Sequence, residues 1–275
     1  MSIIVIDNQV FHYEVIGRGR PVLFLHGWMG SWRYWLPTMR ALSDQYRTYS
    51  FNFAGFGGSN TNGGRLGIDY YADQVMRFLD TMGIERVMLV GHSMGGMVAL
   101  KTALDHPRRI GRLVTVGAPI SGTSLSWLLK LTSRPELART FVRMPQLRRF
   151  MFRRFLGETA DPAEYEILDD SEKSTSATLS HTVLSMWRTD LRPELRRLAV
   201  PTLIVHGNRD EVVNPDQVRL FGTVPAAQVA LLPDRRHFPF LEDEASFNLL
   251  LRRFLNNEPI LTPNRLGARQ PATTS

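Results

Sequence analysis

A serine flanked by small residues, on a turn that leaves a buried strand and enters a helix, is placed for nucleophilic chemistry. The sequence holds such a turn at Gly91-His92-Ser93-Met94-Gly95-Gly96. The apolar run Val87-Met88-Leu89-Val90 precedes it, and a helical pattern from Met94 to Leu104 follows. A tight strand-to-helix turn strains the serine backbone and packs it closely, so its neighbours must lack bulk, as Gly91 and Gly95 do. The turn lifts the Ser93 hydroxyl to the end of the sheet, where the helix N-terminus offers unpaired N–H groups to a developing oxyanion. The plainer alternative is a glycine-rich turn whose serine caps the helix. Two other polar clusters stand beyond apolar runs: His206-Gly207-Asn208-Arg209-Asp210, and Asp234-Arg235-Arg236-His237-Phe238-Pro239-Phe240. Serine, acid and histidine therefore occur in that order, each after its own expected strand.

The elements that must position these groups alternate in type. Val22-Leu23-Phe24-Leu25, Tyr46 to Phe53, Leu113-Val114-Thr115-Val116, Leu203-Ile204-Val205 and Val229-Ala230-Leu231-Leu232 read as strands, and Val10 to Ile16 alternates like one. Short continuous apolar runs suit a parallel sheet covered on both faces. Between them, Tyr70 to Met82 sets Tyr71, Val75, Phe78, Leu79 and Met82 on one helical face, with Asp69 expected as its N-cap. The Met94 helix should stop before Pro107, and Phe247 to Leu255 is the last helix. Strands alternating with helices predict a mostly parallel α/β sheet, with residues beyond the strand C-termini converging in space.

The rhythm breaks between residues 121 and 190. Ser121 to Gly157 carries seven Arg and one Lys against a single acid, Glu136, and Glu158 to Asp190 carries eight acids against Lys173 and Arg188. This segment is expected to be a helical insertion between two parts of a core, residues 1–120 and 191–255. The tail, residues 256–275, is rich in Pro, Asn and Thr and is expected to be disordered.

The formal charge is +7, but the basic residues are mostly Arg scattered among acids, so nucleic acid is not an expected partner. The absence of cysteine excludes disulfides, thiolate nucleophiles and Cys-ligated metals. No glycine-rich phosphate loop and no histidine pair at metal-ligand spacing is present, so neither a cofactor nor a metal is expected. The N-terminal Met1 to Asp7 lacks a basic region, and no apolar stretch reaches the length of a membrane span; a cytoplasmic location is expected.

From Phe11 to Leu255 the chain resembles the α/β-hydrolase superfamily, in its serine esterase and lipase-like branch with a cap insertion. The resemblance implies the α/β-hydrolase fold: a mostly parallel central sheet, helices on both faces and a helical cap. It assigns Ser93 as nucleophile, His237 as base and Asp210 as the acid orienting it, with Glu211 as the alternative acid. It also implies that the loop His26-Gly27-Trp28 supplies one oxyanion donor, the N–H of Trp28, partnered by the N–H of Met94, with His26 as a loop-stabilising residue. Two departures stand out. Asn52 occupies a position where many relatives carry Asp, and is expected to alter a turn without touching the chemistry. Arg236 replaces a glycine common before the histidine, and is expected either to disfavour protonation of the histidine by its charge or to restrict that loop.

These roles imply hydrolysis of a carboxylic ester with a hydrophobic acyl or alcohol part through an acyl-enzyme. Alternatives within the resemblance are a carbon–carbon bond hydrolase and a cofactor-free haloperoxidase or perhydrolase. Outside enzymology, a hydrolase-fold protein could bind a hydrophobic ligand with little turnover. Trp28, Met94, Trp127, Trp187 and Phe238 are the expected pocket walls. The basic stretch Gln146 to Leu156 is expected to roof the site, with contact to an anionic membrane surface and a dimer contact as lesser alternatives.

Overall fold

Runs such as Val22 to Leu25, wholly apolar and wholly buried, form strands because a parallel sheet covered on both faces leaves no solvent side to satisfy. The computed structural model describes residues 2–59, 61, 66–156 and 169–260. It contains one eight-stranded sheet: β1 (Ser2–Ile6), β2 (Gln9–Ile16), β3 (Arg20–Leu25), β4 (Tyr46–Phe51), β5 (Val87–His92), β6 (Ile110–Val116), β7 (Thr202–Gly207) and β8 (Ala227–Leu232), in the order β1-β2-β4-β3-β5-β6-β7-β8. β2 pairs antiparallel with β1 and with β4; every other pairing is parallel. β1 escaped the sequence reading because it is an edge strand that shows solvent both Ile3 and Val5, while Ile4 packs on the core and Ile6 is buried.

The helices of the core are α1 (Leu36–Leu42), α2 (Ile68–Thr81) and α3 (Met94–Asp105), followed near the C-terminus by α8 (Pro239–Glu242) and α9 (Glu244–Leu255). α2 packs against α3, and α1 against α9. Asp69 is not the cap of α2. The helix starts two residues earlier, with extended Gly67 at the cap, and Asp69 lies in the first turn, where its charge still favours the helix N-terminus. The N–H of Ile68 is met from outside, by Ser185 Oγ at 3.0 Å. Ser185 belongs to α7 (Ser176–Arg188), which lies between β6 and β7 together with α4 (Trp127–Leu131), α5 (Pro135–Arg143) and α6 (Pro145–Leu156). The chain enters and leaves this segment at one β-bridge, Ser121 with Asp190.

The tail does not begin where disorder was expected. Asn256 Oδ1 accepts from Tyr46 Oη, and Arg112 Nη2 donates to Asn257 Oδ1 at 2.9 Å, so the first residues after α9 are fixed on the core. Residues 261–275, the rest of that expectation, lie outside the described residues. Among the described residues, no helix is long and apolar enough to cross a membrane.

Candidate active site

Ser93 sits directly after β5 and before α3, at φ 52 and ψ −119, a conformation that non-glycine residues rarely adopt. The neighbours hold it there. A Cβ on Gly91 would fall closer than 3.0 Å to the carbonyl of Gly95, and one on Gly95 would strike the carbonyls of Leu25 and His26 at the end of β3. The Ser93 N–H donates to the Val116 carbonyl at 2.8 Å, tying the turn to the end of β6. The hydroxyl makes no capping bond to α3, so the plainer capping role does not describe it.

Asp210 and His237 arrive from the loops after β7 and β8. His237 Nδ1 donates to Asp210 Oδ2 at 2.7 Å, both side chains being buried. The other carboxylate oxygen, Oδ1, accepts from the backbone N–H of Val212 at 2.8 Å and of Val213 at 3.0 Å. Burial alone would raise the Asp210 carboxyl. The His237 ring, together with hydrogen bonds from His206 and His237, holds it well below the usual carboxylate range. The carboxylate therefore keeps the proton of His237 on Nδ1 and leaves Nε2 as an acceptor. Glu211, the alternative acid, is turned away: it is half exposed and pairs with Arg154 at 2.7 Å.

The loop after β3 is fixed by two side chains. Buried His26 donates from Nδ1 to the Gly27 carbonyl at 2.7 Å and accepts the Phe53 N–H at Nε2, 2.9 Å. Burial lowers this imidazole to about 4, so it stays neutral. The Gly27 N–H donates to Tyr34 Oη. Tyr34 in turn lies 3.3 Å from His92 Nδ1, and His92 Nε2 lies 2.9 Å from the His237 carbonyl. A carbonyl can only accept, so the neutral His92 ring donates from Nε2 and accepts the Tyr34 hydroxyl at Nδ1. Burial, then repulsion from His237, pushes His92 well below its ordinary value. One buried chain thus runs from Gly27 through Tyr34 and His92 to the backbone of His237. Sequence reasoning missed Tyr34 and His92 as supports; their only signals were an aromatic past the first loop and the residue beside Ser93.

A narrow pocket of about 50 Å³ joins these parts. Ser93, His237, His92 and Phe238 line it from the core, with Trp28 and Met29 from the first loop and Val212 from the acid loop. Leu129, Phe141 and Met151 close it from α4, α5 and α6. Trp28 is held by stacking on Phe141, 6.1 Å between ring centroids, and by Nε1 donating to the Leu179 carbonyl at 3.3 Å. Phe238 lies where a wall was expected. Trp127 and Trp187 do not: they are 72% and 47% exposed and stand outside the pocket. Leu129 takes the inward position of α4, and Met186 that of the last turn of α7, which points each neighbouring Trp outward. The Met94 side chain is also absent from the wall, being buried in the core. A larger cleft of about 370 Å³ between β8 and α9, lined by Leu232, Leu250 and Arg253, lies away from Ser93.

The two departures have local explanations. Asn52 Oδ1 accepts the Trp32 N–H at 2.7 Å, and its Nδ2 donates to the Gly57 carbonyl at 2.9 Å, joining two loops. The Arg236 N–H donates to Glu242 and its Nη1 to the Arg154 carbonyl at 2.9 Å, which ties the histidine loop to α6.

A sequence profile of the alpha/beta hydrolase fold matches residues 20–244. A protein of Stutzerimonas stutzeri named as a carbamate hydrolase, RutD, is 30% identical over 264 residues, covering 87% of this chain and 94% of its own. A pimeloyl-[acyl-carrier protein] methyl ester esterase of Edwardsiella ictaluri is 28% identical, with 90% and 98% covered. Among solved structures, a bromoperoxidase from Bacillus anthracis superposes with a TM-score of 0.80 at 24% identity, over 90% of this chain and 96% of that one, a likeness of fold.

Proposed function

This chain belongs to the α/β-hydrolase family, and from that premise we propose that it is a serine hydrolase cleaving a carboxylic ester with a hydrophobic acyl or alcohol part. The observation that carries the proposal is the convergence on one apolar pocket of a strained, uncapped Ser93 and a His237 held at 2.7 Å by a buried carboxylate. In this reading Ser93 Oγ attacks the ester carbonyl carbon while its proton passes to His237 Nε2. The N–H groups of Trp28 and Met94 hold the oxyanion; one such donor is worth roughly 3–4 kcal/mol of barrier. Collapse breaks the ester C–O bond, and His237 returns the proton to the departing alcohol. Water then attacks the acyl-enzyme with His237 again as base, releasing the carboxylic acid and Ser93.

The helices between β6 and β7 act here as a cap. Leu129, Phe141 and Met151 present only apolar surface to the pocket, which excludes water and favours a hydrophobic substrate part. The test is p-nitrophenyl butyrate hydrolysis by the protein and by Ser93→Ala. The variant should lose about 10⁴-fold or more in kcat. Equal, slow rates for both would remove the acyl-enzyme and leave ligand binding. A panel adding dienone acids and a peroxide assay separates the ester reading from carbon–carbon hydrolysis and perhydrolysis; a high rate on a dienone acid alone would overturn the ester reading.

A further inference from the structure

A second histidine reaches the carboxylate that orients His237. His206 is the fifth residue of β7, buried between its neighbouring strands, and its Nε2 lies 3.0 Å from Asp210 Oδ2 and 3.2 Å from the Val213 carbonyl. Both of those atoms are acceptors, so Nε2 must carry the proton. Its Nδ1 meets no hydrogen-bond partner among the described residues, as a bare lone pair would and as a buried N–H should not. Asp210 is thereby enclosed by four donors: the Val212 and Val213 N–H groups on Oδ1, and His206 Nε2 and His237 Nδ1 on Oδ2.

We propose that His206 is a positioning residue, which fixes the rotation of the Asp210 carboxylate and draws charge from the oxygen that His237 uses. The inference rests on the serine-hydrolase reading above. Its physical content is a competition on one atom. The His206 N–H compensates part of the negative charge on Oδ2, so less remains to stabilise the His237 imidazolium formed during acyl transfer. Without that donor the imidazolium is favoured, and His237 keeps its proton to higher pH. Other charged and titratable groups face the same centre: His92 from β5, Glu211 and Arg209 from the acid loop, Arg236 from the histidine loop, Arg154 from α6 and Glu242 from α8. None of these is altered by a change at His206, so a shift in pH behaviour reports the His206 bond.

The experiment follows the rate of Ser93 labelling by a fluorophosphonate from pH 5 to 9, in the protein, in His206→Gln and in His206→Leu. A Gln amide can place a donor near the Nε2 position; Leu cannot. The Leu variant should move the midpoint of the acid limb upward by about one pH unit, through the charge left on Oδ2, and slow labelling about tenfold at its plateau, because a carboxylate free to rotate no longer holds His237 in place, while the Gln variant stays near the parent. A folded Leu variant whose limb does not move overturns the proposal. Nitrogen NMR of the unaltered protein gives an independent arm should the Leu variant not fold: His206 protonated at Nε2 supports the proposal, and protonation at Nδ1 overturns it. A protein that fails to label at all sinks the hydrolase reading, and the NMR arm still decides whether His206 donates to Asp210.

Discussion

Tyr34 shows how much one hydroxyl can organise. Its oxygen accepts the Gly27 N–H and its proton goes to His92, so a single atom couples the loop expected to hold an oxyanion to the backbone of His237. Tyr34→Phe keeps the ring, which packs edge-on to His92 and tilted against Phe240, and deletes only these bonds. The Gly27 N–H is then buried without an acceptor, at a cost of about 1–3 kcal/mol. The loop also loses its registration against Ser93. Urea unfolding should show that loss, and ester hydrolysis should show kcat reduced roughly tenfold with KM little changed, since the missing constraint matters most in the transition state. Unchanged kcat in a destabilised variant would confine Tyr34 to a packing role.

Elements explain why those atoms meet. Gly95 lies in the first turn of α3 against the last two carbonyls of the β3 strand and its loop, and this contact sets the depth at which Ser93 stands. Gly95→Ala must push α3 off β3 and shift the turn. A loss of stability of about 1–3 kcal/mol from overpacking is expected, together with loss of activity; a stable, fully active Ala variant would show that the depth of the turn is not critical. Phe141 of α5 gives the opposite case, in which space is made. Phe141→Ala removes the ring stacked on Trp28 and widens the pocket at its roof. The ratio of p-nitrophenyl octanoate to butyrate turnover should rise, with about 3 kcal/mol of stability lost; an unchanged ratio would place the acyl chain elsewhere. These elements differ in how legible they were. The strands other than β1, the turn at Ser93 and the convergence of Asp210 and His237 could be read from apolar runs and chain order, because strand burial is written locally in residue type. The pocket walls could not. Whether Trp127 or Leu129 faces inward depends on the rotation of a five-residue helix, and little more than one turn of pattern does not define it. His206 was hidden because the apolar run ends at Val205 and leaves it in the polar cluster beyond, whereas β7 extends through it and its partner Asp210 lies in the following loop.

At the scale of the whole molecule, burying neutral imidazoles makes the fold sensitive to acid. His26 titrates at about 4 in the folded chain against an ordinary 6.5, because a charged ring at zero exposure would lack water. The unfolded chain therefore takes up this proton first as pH falls. Stability contributed by the neutral ring is complete above about pH 6.5, declines through the interval, and is fully lost below about pH 4, some 3 kcal/mol in all and about 2 kcal/mol by pH 5. His92, also held down by burial, adds a loss of the same sign. Asp210 acts lower: its depressed carboxyl stabilises the fold above its unfolded value of 3.8, and that contribution is lost only as pH falls beyond it. Glu242 works in the opposite sense near 4.5, since burial raises its carboxyl and acid relieves it. The window between pH 6.5 and 5 therefore belongs to the histidines. Urea unfolding at pH 7.5 and pH 5 should show stability lower by at least about 2 kcal/mol at the acid end. In His26→Gln, which stays neutral throughout, the difference should shrink by about that amount. Equal stability at the two pH values, or a difference untouched by His26→Gln, would mean that His26 is not held neutral by its burial, and the rigid loop built on its two hydrogen bonds would lose its basis.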